Sequence, residues 1–239
     1  MGATTLFAQS DIVTIFQQGL NKAKVGEYAS AITDFESVIE LSYDVEAPDA
    51  NETKAIASAK KFIVTCYNKL GMADAASEQY ESAIANFSNA ANYAELYEDV
   101  AAYNKNKTLI GQVYQAQGAG AFNNGDYATA IAVFSKGYEA DPRNTDMALN
   151  LAESYFRSNM YHDGMRICAG IMALSSEKNA EAQAVAQEKM DMYTNNEVAK
   201  LQMANDYDGI IALAEQLDDQ AMAQKVIMQA YYGKKNFSK

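Results

Sequence analysis

A ten-residue phrase that occurs twice sets the strongest limit on how this chain folds. Gly26-Glu27-Tyr28-Ala29-Ser30-Ala31-Ile32-Thr33-Asp34-Phe35 returns as Gly125-Asp126-Tyr127-Ala128-Thr129-Ala130-Ile131-Ala132-Val133-Phe134. Weaker copies start at Asn159-Met160-Tyr161 and at Asn205-Asp206-Tyr207. A helix breaker, then a polar residue, then apolar residues at helical spacing reads as the turn and second helix of a hairpin. One such hairpin cannot bury its own apolar face, so a repeated hairpin implies a stack in which neighbours cover one another. The expected fold is all-α: a stacked α–α solenoid of about five hairpins plus a terminal helix, over residues 11–239.

The rest of the chain parses on the same frame. Asp11 is the expected N-cap of a first helix ending at Lys24, with Ile12, Ile15, Phe16, Gly19, Leu20 and Ala23 on one stripe. Its partner runs from Glu27 to Leu41, and a polar linker with Pro48 follows. Glu52 to Leu70 is the next leading helix, ended by Gly71, with a partner from Ala73 to about Tyr97. Two registers fit that partner: Ala76, Tyr80 and Ala83, or Ala83, Phe87 and Ala90. The first is preferred. Asp99 to Asn124 follows, with a break expected near Asn104, and Pro142 stops the helix after Gly125. Asn144–Ser158 pairs with Tyr161–Leu174, and Glu177–Ala204 with Tyr207–Leu217. Asp219–Tyr232 opens a sixth unit, and Gly233-Lys234-Lys235-Asn236-Phe237-Ser238-Lys239 reads as the turn before a second helix that the sequence does not supply. The chain is therefore expected to be truncated or to end on a capping helix.

These residues resemble the tetratricopeptide repeat (TPR) family, whose unit is two antiparallel helices in about 34 residues. The family's small residue in the second helix appears as Ala31, Ala76, Ala130 and Gly164, and its aromatic four residues later as Phe35, Tyr80 and Phe134. Leu151-Ala152 and Tyr155 match its first-helix pattern. Cys168 and Ala214 depart from the aromatic position, and the spacing is uneven. The resemblance implies a right-handed α–α superhelix with a concave groove lined by the leading helices. It places Phe16, Leu20 and Lys24 there in the first unit, and Lys61, Thr65 and Asn68 in the second. The third supplies Gln112, Gln115, Ala119 and Asn123, the fourth Leu149, Glu153, Phe156 and Arg157, and the fifth Asn195, Ala199 and Gln202. Amides and an arginine suit an extended peptide. Thr65 stands where a carboxylate clamp of this family would want Asn, so no such clamp is assigned.

Charge and chemistry narrow the function. The net charge of −12, with no Lys/Arg block, argues against a nucleic-acid partner and against adsorption to an anionic membrane. No run approaches the length of a membrane span. Cys66 and Cys168 fall at core-facing positions, apart from any CxxC or neighbouring His, and are expected to be buried thiols. His162 is expected in a turn beside Asp163, and no phosphate loop, nucleophile elbow or HExxH pattern occurs. Glu95, Glu98 and Asp99 read as a solvated helix end, and Met190, Met192 and Met203 as core. No cofactor or metal is expected. Residues 1–10, apolar and then polar, resemble the end of a secretory signal peptide whose charged and most apolar parts are missing. The expectation is a non-enzymatic scaffold for a protein or peptide partner, exported to the periplasm or envelope, with a cytoplasmic location as the alternative. The alternatives are a repeat module of a larger protein, whose missing part is an enzyme or a signalling domain, and a glycan-binding solenoid suggested by the 16 tyrosines.

Overall fold

A computed structural model of the chain describes the backbone of residues 3–217 and 220–236 and the side chains of 11–217 and 220–234. The described residues form eleven helices: α1 (Ala3–Lys24), α2 (Tyr28–Ser42), α3 (Ala50–Ala76), α4 (Tyr80–Leu96), α5 (Val100–Asn123), α6 (Tyr127–Ala140), α7 (Thr145–Arg157), α8 (Tyr161–Met172), α9 (Ser176–Met203), α10 (Tyr207–Ala214) and α11 (Gln220–Asn236). The all-α expectation holds. None of these helices is long and apolar enough to cross a membrane.

One turn recurs six times. Gly26, Glu78, Glu98, Gly125, Asn159 and Asn205 all adopt left-handed backbone, with φ between 57° and 85°. At each, the next amide reaches back to a carbonyl of the preceding helix, as in Glu27 N to Lys22 O (3.0 Å), Gln79 N to Asp74 O (2.9 Å) and Asp206 N to Leu201 O (2.9 Å). Those bonds close the helix end in a Schellman-type cap. Five of the six turns deliver a tyrosine as the first residue of the next helix: Tyr28, Tyr80, Tyr127, Tyr161 and Tyr207.

The turn at Glu78 corrects the register preferred from sequence. Gly71 does not end α3, which continues to Ala76, and α4 starts at Tyr80 rather than Ala73. Gly71 instead faces a ring: a Cβ on it would fall 2.8 Å from Phe87. Gly19 stands in the same relation to Phe35, and Gly118 to Phe134. Ala83, Phe87 and Ala90 are therefore the core set of α4, and all three are buried. The steric pairing of a glycine with a ring selects this register, whereas the Ala76 register would leave Phe87 without its recess. Measured between equivalent positions, the units are 52 residues apart (71 − 19), then 47 (118 − 71), then 34 (152 − 118), then 46 (198 − 152). Long leading helices absorb the excess, since α3 has 27 residues and α9 has 28, against 13 for α7.

Other boundaries also move. Asp11 is not an N-cap, because α1 is already running there. α3 begins two residues before Glu52, at Ala50, because Asp49 caps it: its carboxylate accepts from Asn51 N (2.7 Å) and Glu52 N (2.9 Å), and Glu52 returns a bond from Asp49 N (2.8 Å). α5 is unbroken at Asn104; Asn106 and Thr108 bond back to the carbonyls of Ala102 and Asn104 within the helix. α11 runs through Gly233 to Asn236, so the turn expected there does not form. The expected start of that helix at Asp219 and the tail Phe237-Ser238-Lys239 lie outside the described residues. His162 sits in the first turn of α8, exposed, rather than in a loop.

The chain divides into two compact units, residues 1–114 and 115–239, with the division inside α5. In the first unit, Phe16, Phe35 and Phe62 gather over Ile12, Ala31, Ala59 and Ile63, and Cys66 is buried beside them. Burial raises the Cys66 thiol to about 11. In the second unit, Phe134, Met147, Leu151 and Ile171 are among the fully buried side chains, with Cys168 raised to about 12. Both thiols are inert core residues, as the sequence implied.

Candidate partner-binding grooves

Within the first unit, α3 packs its C-terminal half on α4, and the α4–α5 turn brings the start of α5 back beside it. Ala102 and Tyr103 of α5 pack with Val64, Tyr67, Ala90 and Tyr93. Asp99 caps α5 by accepting from Ala102 N (3.0 Å). A groove of about 650 Å³ opens between the two helices, lined by Lys60, Lys61, Thr65 and Asn68 from α3, Tyr97, Glu98 and Asp99 from the turn region, and Val100 and Lys105 from α5. The groove unites Lys61, Thr65 and Asn68, which the repeat resemblance had grouped.

Its chemistry is mixed. Lys61 and Lys105 are exposed and make no ion pair among the described residues. Lys60 lies 5.1 Å from the centre of the Tyr97 ring, a cation–π contact. Asn68 contributes to the groove lining, while its Oδ1 is buried behind that surface without a hydrogen-bond partner. Behind the wall, Tyr67, Tyr93 and Tyr97 stack in series with centroids 5.7 and 5.9 Å apart, and Tyr93 donates its hydroxyl proton to Glu36. Burial first, and then Glu36, raise the Tyr93 phenol.

Sequence reasoning missed Lys60, Tyr97 and Lys105. The register error explains part of this. Shifting the second unit's frame by seven residues carries Lys61, Thr65 and Asn68 onto Asn68, Met72 and Ala75. Seven residues are almost two helical turns, so the face is kept while the site slides about 10 Å along the axis. The three lysines therefore sit on turns of α3 and α5 that precede the corrected repeat frame, and only the shifted register brought Lys61 among the groove positions.

In the second unit the expected groove of α7 is largely occupied. Glu153 accepts from Lys189 Nζ (2.6 Å), Tyr193 Oη (2.7 Å) and Arg157 Nε (2.8 Å). Burial pushes its carboxyl up, but the three donors outweigh that and hold it below the ordinary range, while Tyr193 is raised to about 12. Phe156 is not a groove residue: it is 2% exposed, packed over Gly164 and stacked on Tyr193 at 4.1 Å between centroids. The absence of a side chain at Gly164 makes the recess that draws the ring inward. Phe16 and Leu20 of the first unit are likewise core-packed. Arg157, Lys24, Gln112, Asn123, Asn195, Ala199 and Gln202 are exposed, whereas Gln115, Ala119 and Leu149 are half-buried.

A second, more apolar groove of about 870 Å³ lies between the end of α9 and α11, lined by Gln202, Lys225, Met228, Gln229, Tyr231 and Tyr232 among others. The core expectation for the α9 methionines fails at two of three: Met192 and Met203 are 44% and 86% exposed. Only Ala186, Thr194 and Val198 of α9 are buried, because the 28-residue helix outreaches α8 (12 residues) and α10 (8 residues), and little covers it.

Residues 121–174 match the family model described as tetratricopeptide repeat. No curated protein matches the chain. Among solved structures it is similar to the Rap conjugation gene regulator of the plasmid pLS20 in complex with the Phr* peptide, at 13% identity over 92% of this chain and 72% of that one, with a TM-score of 0.34. Residues 121–174, which span the end of α5 through α8, are thus similar to the tetratricopeptide repeat, and the left-handed turn at Gly125 within them recurs in the hairpins before and after.

Proposed function

We propose that this chain is a non-enzymatic interaction scaffold that holds a peptide or protein segment along the groove between α3 and α5. The observation that carries this reading is the groove itself, which gathers Lys61, Thr65 and Asn68 of α3 opposite Lys105 of α5. The exposed apolar rim at Val100 and Leu96 supports the same reading, since apolar side chains beside polar anchors are the usual make-up of an interface. We place the scaffold in the cell envelope, on the strength of the signal-like residues 1–10. A photo-cross-linking residue at Thr65, within the groove, should capture a defined partner from native cells. The same residue at Thr129, exposed on α6, should not. Equal capture at both positions would remove the groove from the reading. Recovery of the chain only from cytosol would remove the envelope.

A further inference from the structure

The geometry points to an acidic partner: the groove between the middle of α3 and the first turns of α5 takes a segment whose side-chain carboxylates face Lys61 and Lys105. This rests on the scaffold reading above and names the chemistry of its partner. The chain as a whole carries a net charge of −12, yet this groove lining holds three lysines against two carboxylates. Asp99 is turned to the α5 amide it caps and Glu98 stands in the α4–α5 turn, so the lining carries a net excess of one positive charge. Lys60 is held by Tyr97, which leaves Lys61 and Lys105 on opposite walls as free cations. An acidic chain that binds an acidic segment needs such a local reversal, because complementary charge sets both orientation and encounter. The lysines stand on helix turns added ahead of the repeat frame, so the long α3 and α5 acquire a purpose: they build a cationic wall that a 34-residue unit would not have.

The test uses the full chain and a fluorescein-labelled decapeptide of alternating Glu and Gly, acetylated and amidated so that only side chains carry charge, beside its Gln/Gly twin. Fluorescence anisotropy should show the Glu peptide binding at least tenfold tighter than the twin, and weakening as salt is raised. Lys61→Gln with Lys105→Gln should abolish that preference without changing the melting temperature, because both side chains are exposed. Lys178→Gln, an exposed change on α9, should leave binding of the Glu peptide unaltered. Equal binding of the two peptides, an unaffected double-lysine variant, or binding only by a peptide with a free C-terminus would each overturn the acidic side-chain assignment. A partner cross-linked at Thr65 that the Glu peptide fails to displace would leave the scaffold reading standing and remove the acidic partner alone. If Thr65 captures nothing and the Glu peptide does not bind, both fall.

Discussion

The smallest feature with structural consequences is a missing methyl group. Gly118 lies so close to Phe134 that an added Cβ would come within 2.5 Å of the ring. Gly118→Ala should therefore cost about 1–3 kcal/mol by overpacking, against the slight gain that alanine normally brings to a helix. Combining it with Phe134→Leu should recover part of the loss, and a double-mutant cycle from urea unfolding measures that coupling. In the α7–α8 hairpin the ring changes sides: Phe156 of α7 sits over Gly164 of α8, and Ala152 and Cys168 occupy the crossing that Gly and Phe fill elsewhere. Backbone strain is the other residue-scale lever. Glu78 holds a φ of 58°, which an L-residue with a long side chain adopts at a cost of about 1–2 kcal/mol. Glu78→Gly should raise stability by about 0.5–1 kcal/mol once the greater freedom of unfolded glycine is subtracted, a gain readable as a higher urea midpoint.

At the scale of elements, Glu153 ties α9 to α7 across the shorter α8. Its carboxyl is held below the ordinary range, so the link is complete above the unfolded-state pKa and is lost as pH falls through the lower folded value. Glu153→Gln should cost about 1–2 kcal/mol at neutral pH. That deficit should shrink toward zero in acid, where the native chain protonates too; a deficit independent of pH would assign the loss to packing. Much of this element structure was legible from sequence. The Gly26 and Gly125 turns announced themselves because glycine there has a backbone reason, and Asn159 and Asn205 tolerate the same conformation. The turn at Glu78 did not, since nothing in Ser77-Glu78-Gln79 favours left-handed backbone, and so α3 was ended seven residues early in the frame. The Asp49 to Glu52 capping box was readable by its spacing and was passed over for a linker. The groove was half legible. Lys61 and Asn68 lie on a face that helical periodicity preserves, whereas Lys105 enters through the α4–α5 turn, which only the fold brings round.

Over the whole molecule, repeats contact chiefly their neighbours, so damage should stay local. In Gly118→Ala, hydrogen exchange should rise most in the end of α5, in α6 and in α7, and fall away toward α10 and α11; a uniform rise would show one cooperative block instead. The glycine–ring contacts also bear on descent. At each hairpin crossing the two helices share one volume, filled as Gly19 with Phe35, Gly71 with Phe87, Gly118 with Phe134, or as Ala152 with Cys168 and Val198 with Ala214. A larger residue on the leading helix is admissible only after the ring opposite has shrunk. The two positions, sixteen residues apart (35 − 19), are thus inherited as a single character, and a lineage can drift from one solution to the other only through an intermediate that is less stable than either.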